Sequence, residues 1–242
     1  MEKNPIHEKI IEIIAEYGYM TVFEIAEITG DLRKAYGVLQ YLSNKKGRLT
    51  TFPTYLRPTR AYCLSTREKS AVEASGAVEY MSRFVPSYYA PTQFYHHTIV
   101  IKVHLILEKI LGNRLIEFIP EPRIKRQIKS GGKKALKICD GEVIFLNTKG
   151  ERHKAGIEVE LTLKREEARR RGIKNLYEYA DSNLDFILLF YNRKVIKERM
   201  RETIKNYGSK GKPIYFISLK DFLENRAKSQ AEKLNGEKIK IF

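Results

Sequence analysis

Cysteines are scarce in this sequence, and long apolar runs are missing. Cys63 and Cys139 are the two cysteines among 242 residues, and they lie in unrelated contexts. Neither a disulfide framework nor a C-x-x-C metal knuckle is therefore expected, and a reducing compartment is favoured. No run reaches the roughly 18 apolar residues of a membrane-spanning helix, and the opening MEKNPIHEKI lacks the apolar segment of a signal peptide. We expect a cytoplasmic protein without a membrane partner.

Several motifs of catalysis and nucleotide binding are also missing. The stretch IKSGGKK, residues 128–134, is basic and rich in glycine, but it does not match the G-x-x-x-x-G-K-[ST] pattern of a nucleotide-binding loop. His97 and His104 are separated by two helical turns and have no neighbouring cysteine, which disfavours zinc ligation. No Ser/His/Asp or Cys/His nucleophile arrangement is recognisable. We expect neither a nucleotide-binding loop nor a zinc site.

Positive charge is in large excess. Lys and Arg total 45 against 29 Asp and Glu, which gives a formal net charge of +16 and a pI near 9.7. Such a charge attracts polyanions and steers them from a distance. The alternative is the lysine-rich surface of a heat-adapted protein, but there Glu usually rises together with Lys. The excess of positive charge therefore makes nucleic acid the leading candidate partner. Because 43% of the residues are hydrophobic, a packed core is also expected.

The N-terminal segment shows three helical patterns in succession. Apolar residues recur at helical spacing over residues 6–17, and Gly18 ends the pattern. Thr21 can cap a second helix, which ends at a turn at Gly30. The residues of this helix that are expected to face inward are Phe23, Ile25, Ala26 and Ile28. A third helix is predicted over residues 32–42, so the segment has the order of a helix-turn-helix with a leading support helix.

Two short strands are predicted after the third helix, over residues 49–52 and 61–64, with a basic loop between them. The whole of residues 1–64 resembles a winged helix-turn-helix domain. The resemblance implies that the third helix enters the DNA major groove and that the wing touches the backbone. The implied DNA contacts are Arg33, Lys34, Tyr36, Gln40, Lys45, Lys46, Arg48, Arg57 and Arg60. Helices with this spacing also serve in dimerisation and protein docking, which is the alternative.

Residues 65–93 are expected to link two modules. The stretch STREKSAVEASGAVEYMSRF predicts a helix of mixed character, and VPSYYAPTQFYHH is rich in Tyr and Pro. Pro86 and Pro91 are expected to stop helices. Tyrosines in a linker favour packing between domains, and base stacking is the alternative.

A second module is predicted over residues 94–242. Residues 96–111 are apolar almost all the way round, which predicts a buried helix that carries Glu108. Strands are predicted in LIEFIPE, ALKICDGEVIF, AGIEVELTLK, NLDFILLFY and PIYFISL, and helices in REEARRRGIKNLYEYA, VIKERMRETIKNYG and LKDFLENRAKS. This order predicts an α/β (α+β) fold with a mixed sheet.

Two predicted strands of this module contain carboxylates. In an extended GIEVELTLK, alternate side chains share a face, so Glu158, Glu160 and Lys164 lie on one side and apolar residues on the other. Asp140 lies in the preceding strand, and the hairpin signal NTKGERHKAG predicts an antiparallel pairing that brings Asp140 close to Glu158. Neighbouring carboxylates repel unless a cation bridges them, and oxygen ligands suit Mg²⁺ or Mn²⁺. The alternative is a solvated strand face in which Glu158 and Glu160 pair with Lys137, Lys164 or neighbouring arginines.

The order of a helix with Glu, a strand with Asp and a strand with Glu-x-Glu resembles the PD-(D/E)xK nuclease superfamily, with its restriction-endonuclease-like fold. With the winged-helix front and the stretches PEPRIK, CDGEVIF and GIEVELT, the chain is similar to the replication-relaxation family, plasmid-borne proteins associated with mobilisation and replication control. The resemblance implies the metal ligands Asp140, Glu158 and Glu108, and a catalytic set that adds Glu160 and Lys164. Glu160 stands where a water-orienting lysine is usual, so Lys164 or Lys137 would supply that charge. Cys139 replaces the usual proline before the aspartate.

These features predict a DNA-binding protein of plasmid or mobile-element type, with divalent-metal-dependent endonuclease or nickase activity in the second module. The expected partners are double-stranded DNA, a second copy of the chain, and other plasmid replication or mobilisation proteins. Two alternatives are kept. In one, the second module is a catalytically inactive nuclease fold in an accessory protein or a transcriptional or replication regulator that only binds DNA. In the other, the second module of a transcriptional regulator senses a small ligand.

Overall fold

The computed structural model of the chain describes residues 4–54, 59–76, 91–130, 138–207 and 211–241. The chain divides into two units, Met1–Leu105 and Ile106–Phe242. The division falls within a long helix, Pro91–Leu111, later in the chain than the module start at residue 94 expected from the sequence. In the part of the chain that is described, no helix combines the length and the apolar character needed to cross a bilayer.

The first unit combines short helices with a small antiparallel sheet. Its elements in chain order are α1 (Pro5–Tyr17), β1 (Met20–Thr21), α2 (Val22–Thr29), α3 (Leu32–Gln40), β2 (Leu49–Pro53), β3 (Arg60–Leu64), α4 (Thr66–Ser75) and the start of α5 (Pro91–Leu111). Within the described residues, the sheet has three strands in the order β1-β3-β2, and both pairings are antiparallel. The two strands predicted after the third helix are confirmed, each one residue longer than expected.

A capping box and two glycines explain where α2 begins and where α1 and α2 end. The backbone N–H of Thr21 donates to Oε2 of Glu24 at 2.7 Å, and the Thr21 side chain accepts an N–H of the first turn in return. α1 and α2 end at Gly18 and Gly30, each with φ of 93°. Glycine adopts this left-handed conformation without the steric cost that a Cβ atom brings. The predicted cap at Thr21 and the predicted helix ends at Gly18 and Gly30 are confirmed.

α2 buries a different stripe from the one predicted. Ile25 is fully buried and Ala26 and Ile28 are half-buried, whereas 45% of the Phe23 surface is exposed. The prediction that Phe23 faces inward is wrong because a residue two positions before Ile25 lies more than half a turn away around the helix. The Phe23 ring instead lies 5.5 Å from Nζ of Lys102, a cation–π contact at the surface.

The second unit alternates strands with helices. Its elements after α5 are β4 (Leu115–Pro120), α6 (Glu121–Ser130), β5 (Gly141–Leu146), β6 (Arg152–Glu160), α7 (Glu166–Asn183), β7 (Phe186–Tyr191), α8 (Lys194–Tyr207), β8 (Ile214–Ser218), α9 (Leu219–Asn225), β9 (Ala231–Glu232) and β10 (Lys238–Ile239). The described strands form a seven-stranded sheet in the order β10-β9-β8-β7-β6-β5-β4. β6, β7 and β8 are parallel neighbours, and the other pairs are antiparallel. The predicted mixed sheet is confirmed.

One face of this sheet packs against α6, α7 and α8. The core on this face includes Ile144, Ile187, Leu189, Ile214 and Phe216 from the strands and Ile124, Ile173, Leu176, Ile196, Met200 and Ile204 from the helices. Because the register pairs Glu158 with Leu189, the Glu158 side chain points to this same face. Its neighbours Ile157 and Val159, on the other face, are 0% and 2% exposed. The predicted alternation is confirmed for Glu158 and Glu160, which share one face of β6 opposite Ile157 and Val159. Both faces are covered, however, so the alternative of a solvated strand face is wrong for this central strand.

The remaining differences concern element ends and short elements. β6 ends at Glu160, so the strand predicted as far as Lys164 is too long, and Leu163 is 51% exposed. The chain leaves the sheet after Glu160, and α7 begins six residues later at Glu166. Pro91, which was expected to stop a helix, is the first described residue of α5, where its fixed φ suits a helix start. α6 and the β9–β10 hairpin had no counterpart in the sequence prediction.

Candidate nucleic-acid interface and carboxylate site

The outer face of α3 presents the polar side chains that the sequence assigned to DNA. Asp31 caps the helix by accepting the N–H of Lys34 at its Oδ1, at 2.7 Å. Ala35 and Leu39 anchor the inner face at 0% and 1% exposure. The exposed side includes Arg33, Lys34, Tyr36, Gly37 and Gln40. The helix therefore holds two cations, a phenol and an amide towards solvent.

A π-helical turn, Tyr41–Lys45, continues α3 and adds further positive charge. Lys45 and Lys46 are exposed, and Nζ of Lys46 lies 5.6 Å from the centre of the Tyr41 ring. Arg60 is exposed at the first position of β3. Arg57, also expected to contact DNA, lies outside the described residues. Apart from Arg48, the predicted contacts that are described are thus exposed on or after α3.

Arg48 is held by two carboxylates of the same unit. Its Nη1 donates to Oε1 of Glu8 at 2.6 Å, and its Nη2 donates to Oε1 of Glu68, also at 2.6 Å. The hydrogen bond to Glu8 and those to Glu68 raise the pKa of the guanidinium above its ordinary value, against the effect of burial. Only 22% of the Arg48 side chain is exposed. Arg48 therefore ties α1 and α4 to the start of β2.

Asp140 and Glu158 are brought together by the antiparallel pairing of β5 with β6. Gly141 pairs with Ile157, so Asp140, one residue earlier, stands opposite Glu158 in the same register. Oδ2 of Asp140 accepts the N–H of Val159 at 2.7 Å, which fixes the carboxyl group against β6. Glu158 is only 2% exposed. The proximity predicted for Asp140 and Glu158 agrees with this register.

Glu160 and Lys164 form an ion pair at the carboxyl end of β6. Nζ of Lys164 lies 2.5 Å from Oε1 of Glu160, which is 3% exposed, while the lysine is exposed. The strand has ended before Lys164, so this lysine does not lie on the strand face beside Glu160. Its side chain instead contacts Glu160 from a turn four residues later in the chain. Arg169 of α7 fixes this turn by donating from Nη1 to the carbonyl oxygen of Lys164 at 2.7 Å. A positive charge therefore stands next to Glu160, as the sequence analysis required of Lys164. Lys137, the other cation considered there, lies outside the described residues.

The donor set of Asp140 and Glu158 agrees with a Mg²⁺ or Mn²⁺ ion in its chemistry. Among the residues that the structure describes, no group of three or more His, Cys, Asp or Glu side chains is arranged to hold a metal. Mg²⁺ commonly takes only one or two protein carboxylates and fills its shell with water and phosphate oxygens. Glu108, the third expected ligand, is half-buried in the last turn of α5. Asp140 and Glu158 thus provide the kind of oxygen ligand that a hard cation such as Mg²⁺ takes from a protein.

A buried polar cluster beside this site was missed by the sequence analysis. Glu142 is 2% exposed, accepts a hydrogen bond from the Tyr179 hydroxyl, and lies 2.8 Å from Nζ of Lys154. Burial, followed by the hydrogen bond to Glu142, raises the pKa of Tyr179 well above its usual range. The alternation of Asp140 and Glu142 in CDGEVIF was the available signal, because it places both side chains on one face. The partners on β6 and α7 could not be identified without the register.

Comparison of the chain with known proteins gave one uniform result. No family model, curated protein or solved structure matches it. The similarity to PD-(D/E)xK nucleases and to the replication-relaxation family therefore stays a prediction from sequence motifs.

Proposed function

We propose that the chain binds double-stranded DNA through its first unit. The observation that supports this most strongly is the outer face of α3, where Arg33, Lys34 and Gln40 are exposed in a chain of net charge +16. The order α1-β1-α2-α3-β2-β3 with a β1-β3-β2 sheet is typical of a winged helix. In that arrangement α3 enters the major groove, where Arg and Gln can read base edges and Lys can contact phosphates.

We propose further that the second unit is a PD-(D/E)xK-like nuclease domain that cuts this DNA. The order α5-β4-α6-β5-β6-α7-β7 contains the helix, three strands, helix and strand expected from the motifs, with α6 as an additional helix between the first two strands. Asp140, one residue before β5, lies opposite Glu158 of β6 when the strand register is continued by one residue, and the two carboxylates would hold Mg²⁺ or Mn²⁺. When bound, such an ion would neutralise phosphate charge and lower the pKa of a bound water.

The remaining groups would orient the attacking water. Glu160 would accept a hydrogen bond from water, and Lys164, whose Nζ lies 2.5 Å from Oε1 of Glu160, would hold that carboxylate in place. In the reaction, the water oxygen forms a bond to phosphorus and the bond to the leaving sugar oxygen breaks. The water supplies the hydroxyl that stays on phosphorus and the proton that the leaving oxygen gains.

The second candidate function is DNA binding without cleavage. The observation that favours it is the ion pair of Glu160 with Lys164, because it replaces the single lysine that the nuclease motif would place on the strand. In this case the second unit is a scaffold for an accessory or regulatory protein. The two functions differ in metal-dependent nicking and agree in DNA affinity.

The DNA-binding proposal is tested by fluorescence anisotropy with a labelled short duplex. The double variant Arg33→Ala/Lys34→Ala should lose roughly tenfold in affinity for each phosphate contact removed at 0.1 M salt. The matched control, Lys238→Ala/Lys240→Ala, removes two exposed cations, one in β10 and one directly after it. Equal losses in both variants would mean that only net charge matters, and would contradict an interface on α3.

A further inference from the structure

The carboxyl ends of the parallel strands form one edge of the second unit. β6, β7 and β8 end at Glu160, Tyr191 and Ser218, and these residues are neighbours in register. Adjacent strands lie about 4.8 Å apart, so the turns that follow them are close in space. In sheets built from parallel strands and helices, ligands bind at this carboxyl edge.

Exposed cations follow these strands within a few residues of their carboxyl ends. Lys164 and Arg165 come after β6, and Arg193 and Lys194 come after β7. All four are exposed. The side chain of Lys164 forms an ion pair with Glu160, which holds the turn after β6 close to the end of that strand. The cations therefore border the strand that contains Glu158 and Glu160.

Arg165, Arg193 and Lys194 differ from other cations nearby because no carboxylate of the described residues forms an ion pair with them. Lys197 and Arg201 of α8 both contact Glu232, a half-buried carboxylate of β9. α8 moreover begins with Lys194 and has no acidic residue in its first turn, although cations there oppose the helix dipole. This arrangement is unfavourable for the helix alone and favourable for an anion.

We infer that Arg165, Arg193 and Lys194 form a phosphate-binding edge that holds the backbone of a DNA strand beside Glu158 and Glu160. The physical reason is charge balance. A phosphodiester that approaches two buried carboxylates is repelled, so cations must stand next to the approach path. This inference rests on the proposed function, and it adds a second DNA contact to the one on α3.

The test compares the full chain with Arg193→Ala/Lys194→Ala by anisotropy over a series of salt concentrations. Loss of two phosphate contacts should reduce the slope of log affinity against log salt by about 1.8 and lower affinity at 0.1 M salt by more than tenfold. The control Lys238→Ala/Lys240→Ala removes the same charge from β10 and the residue after it, and should keep the wild-type slope within error. Thermal melting should show no loss of stability, because the removed charges oppose the α8 dipole.

The outcomes separate the inference from the proposed function. A wild-type chain without salt-dependent DNA affinity overturns both. Wild-type binding that is weakened by Arg33→Ala/Lys34→Ala but keeps its slope in Arg193→Ala/Lys194→Ala overturns only the phosphate edge. A slope reduced in Arg193→Ala/Lys194→Ala and unchanged in the β10 control supports it.

Discussion

Replacing Arg48 tests whether this basic residue mainly stabilises the folded first unit or mainly binds DNA. The change Arg48→Met keeps most of the apolar stem and removes the guanidinium, which leaves Glu8 and Glu68 without their shared cation. These ion pairs are both 2.6 Å long and only 22% of the arginine side chain is exposed. Exposed pairs contribute about 0–1 kcal/mol and the loss of one partner of a buried pair costs about 3–5 kcal/mol, so roughly 2 kcal/mol is expected here. For a unit of this size, that loss lowers the melting temperature by roughly 8–16 °C.

The assay is thermal unfolding of the full chain followed by circular dichroism, with DNA affinity measured well below the transition. Lys45→Met serves as the control, because Lys45 is exposed and close in sequence. We expect Arg48→Met to lower the melting temperature, and Lys45→Met to leave it unchanged and to reduce DNA affinity. An Arg48→Met protein as stable as wild type, with a loss of affinity equal to that of Lys45→Met, would refute the structural role.

Three further changes test the packing and ionisation described above. Gly37→Ala should raise the melting temperature, because no atom lies within 4 Å of a Cβ at this helical position and alanine favours a helix by about 0.5–1 kcal/mol; a lower melting temperature would contradict it. Gly156→Ala should lower the free energy of unfolding in urea by about 1–3 kcal/mol, since its Cβ would lie 2.6 Å from both Cys139 Sγ and Leu184 Cδ1; unchanged stability would show that the strand can shift. Burial raises the pKa of Glu24 above 4.5, so the folded state binds the proton more tightly and wild-type stability falls as pH rises from 4.5 through the raised pKa. Glu24→Gln should therefore gain stability relative to wild type over this pH range, and a constant difference would contradict the raised pKa.

Much of the second unit could be predicted because its signals are local. The polar stretch between β5 and β6 and the alternation within each strand were sufficient for the hairpin, and the hairpin placed Asp140 opposite Glu158. α6 was missed because Ile124 and Ile128 are nearly its only apolar residues, which is too few for a clear helical pattern. The helix is stabilised by the packing of these two side chains against the sheet. The two-residue strands β9 and β10 are too short for any pattern.

The parts of the site that could not be predicted depend on long-range contacts. Arg48 meets Glu8 and Glu68 from sequence separations of 40 and 20 residues, and nothing in its own neighbourhood indicates this. Glu142 likewise depends on Tyr179, 37 residues away. Such contacts are set by how elements pack, whereas composition and spacing indicate only that charge is present.

The most direct test of the proposed nuclease is nicking of supercoiled plasmid with Mg²⁺ or Mn²⁺. Wild type is compared with Asp140→Asn and Glu158→Gln, and Glu166→Gln is the control because this exposed α7 carboxylate lies outside the strand pair. We expect wild type and the control to nick only when the metal is present. Asp140→Asn and Glu158→Gln should bind DNA with wild-type affinity and should not nick it. Plasmid that stays supercoiled with wild type, or nicking that persists equally in both variants, would contradict a metal-dependent nuclease built on Asp140 and Glu158.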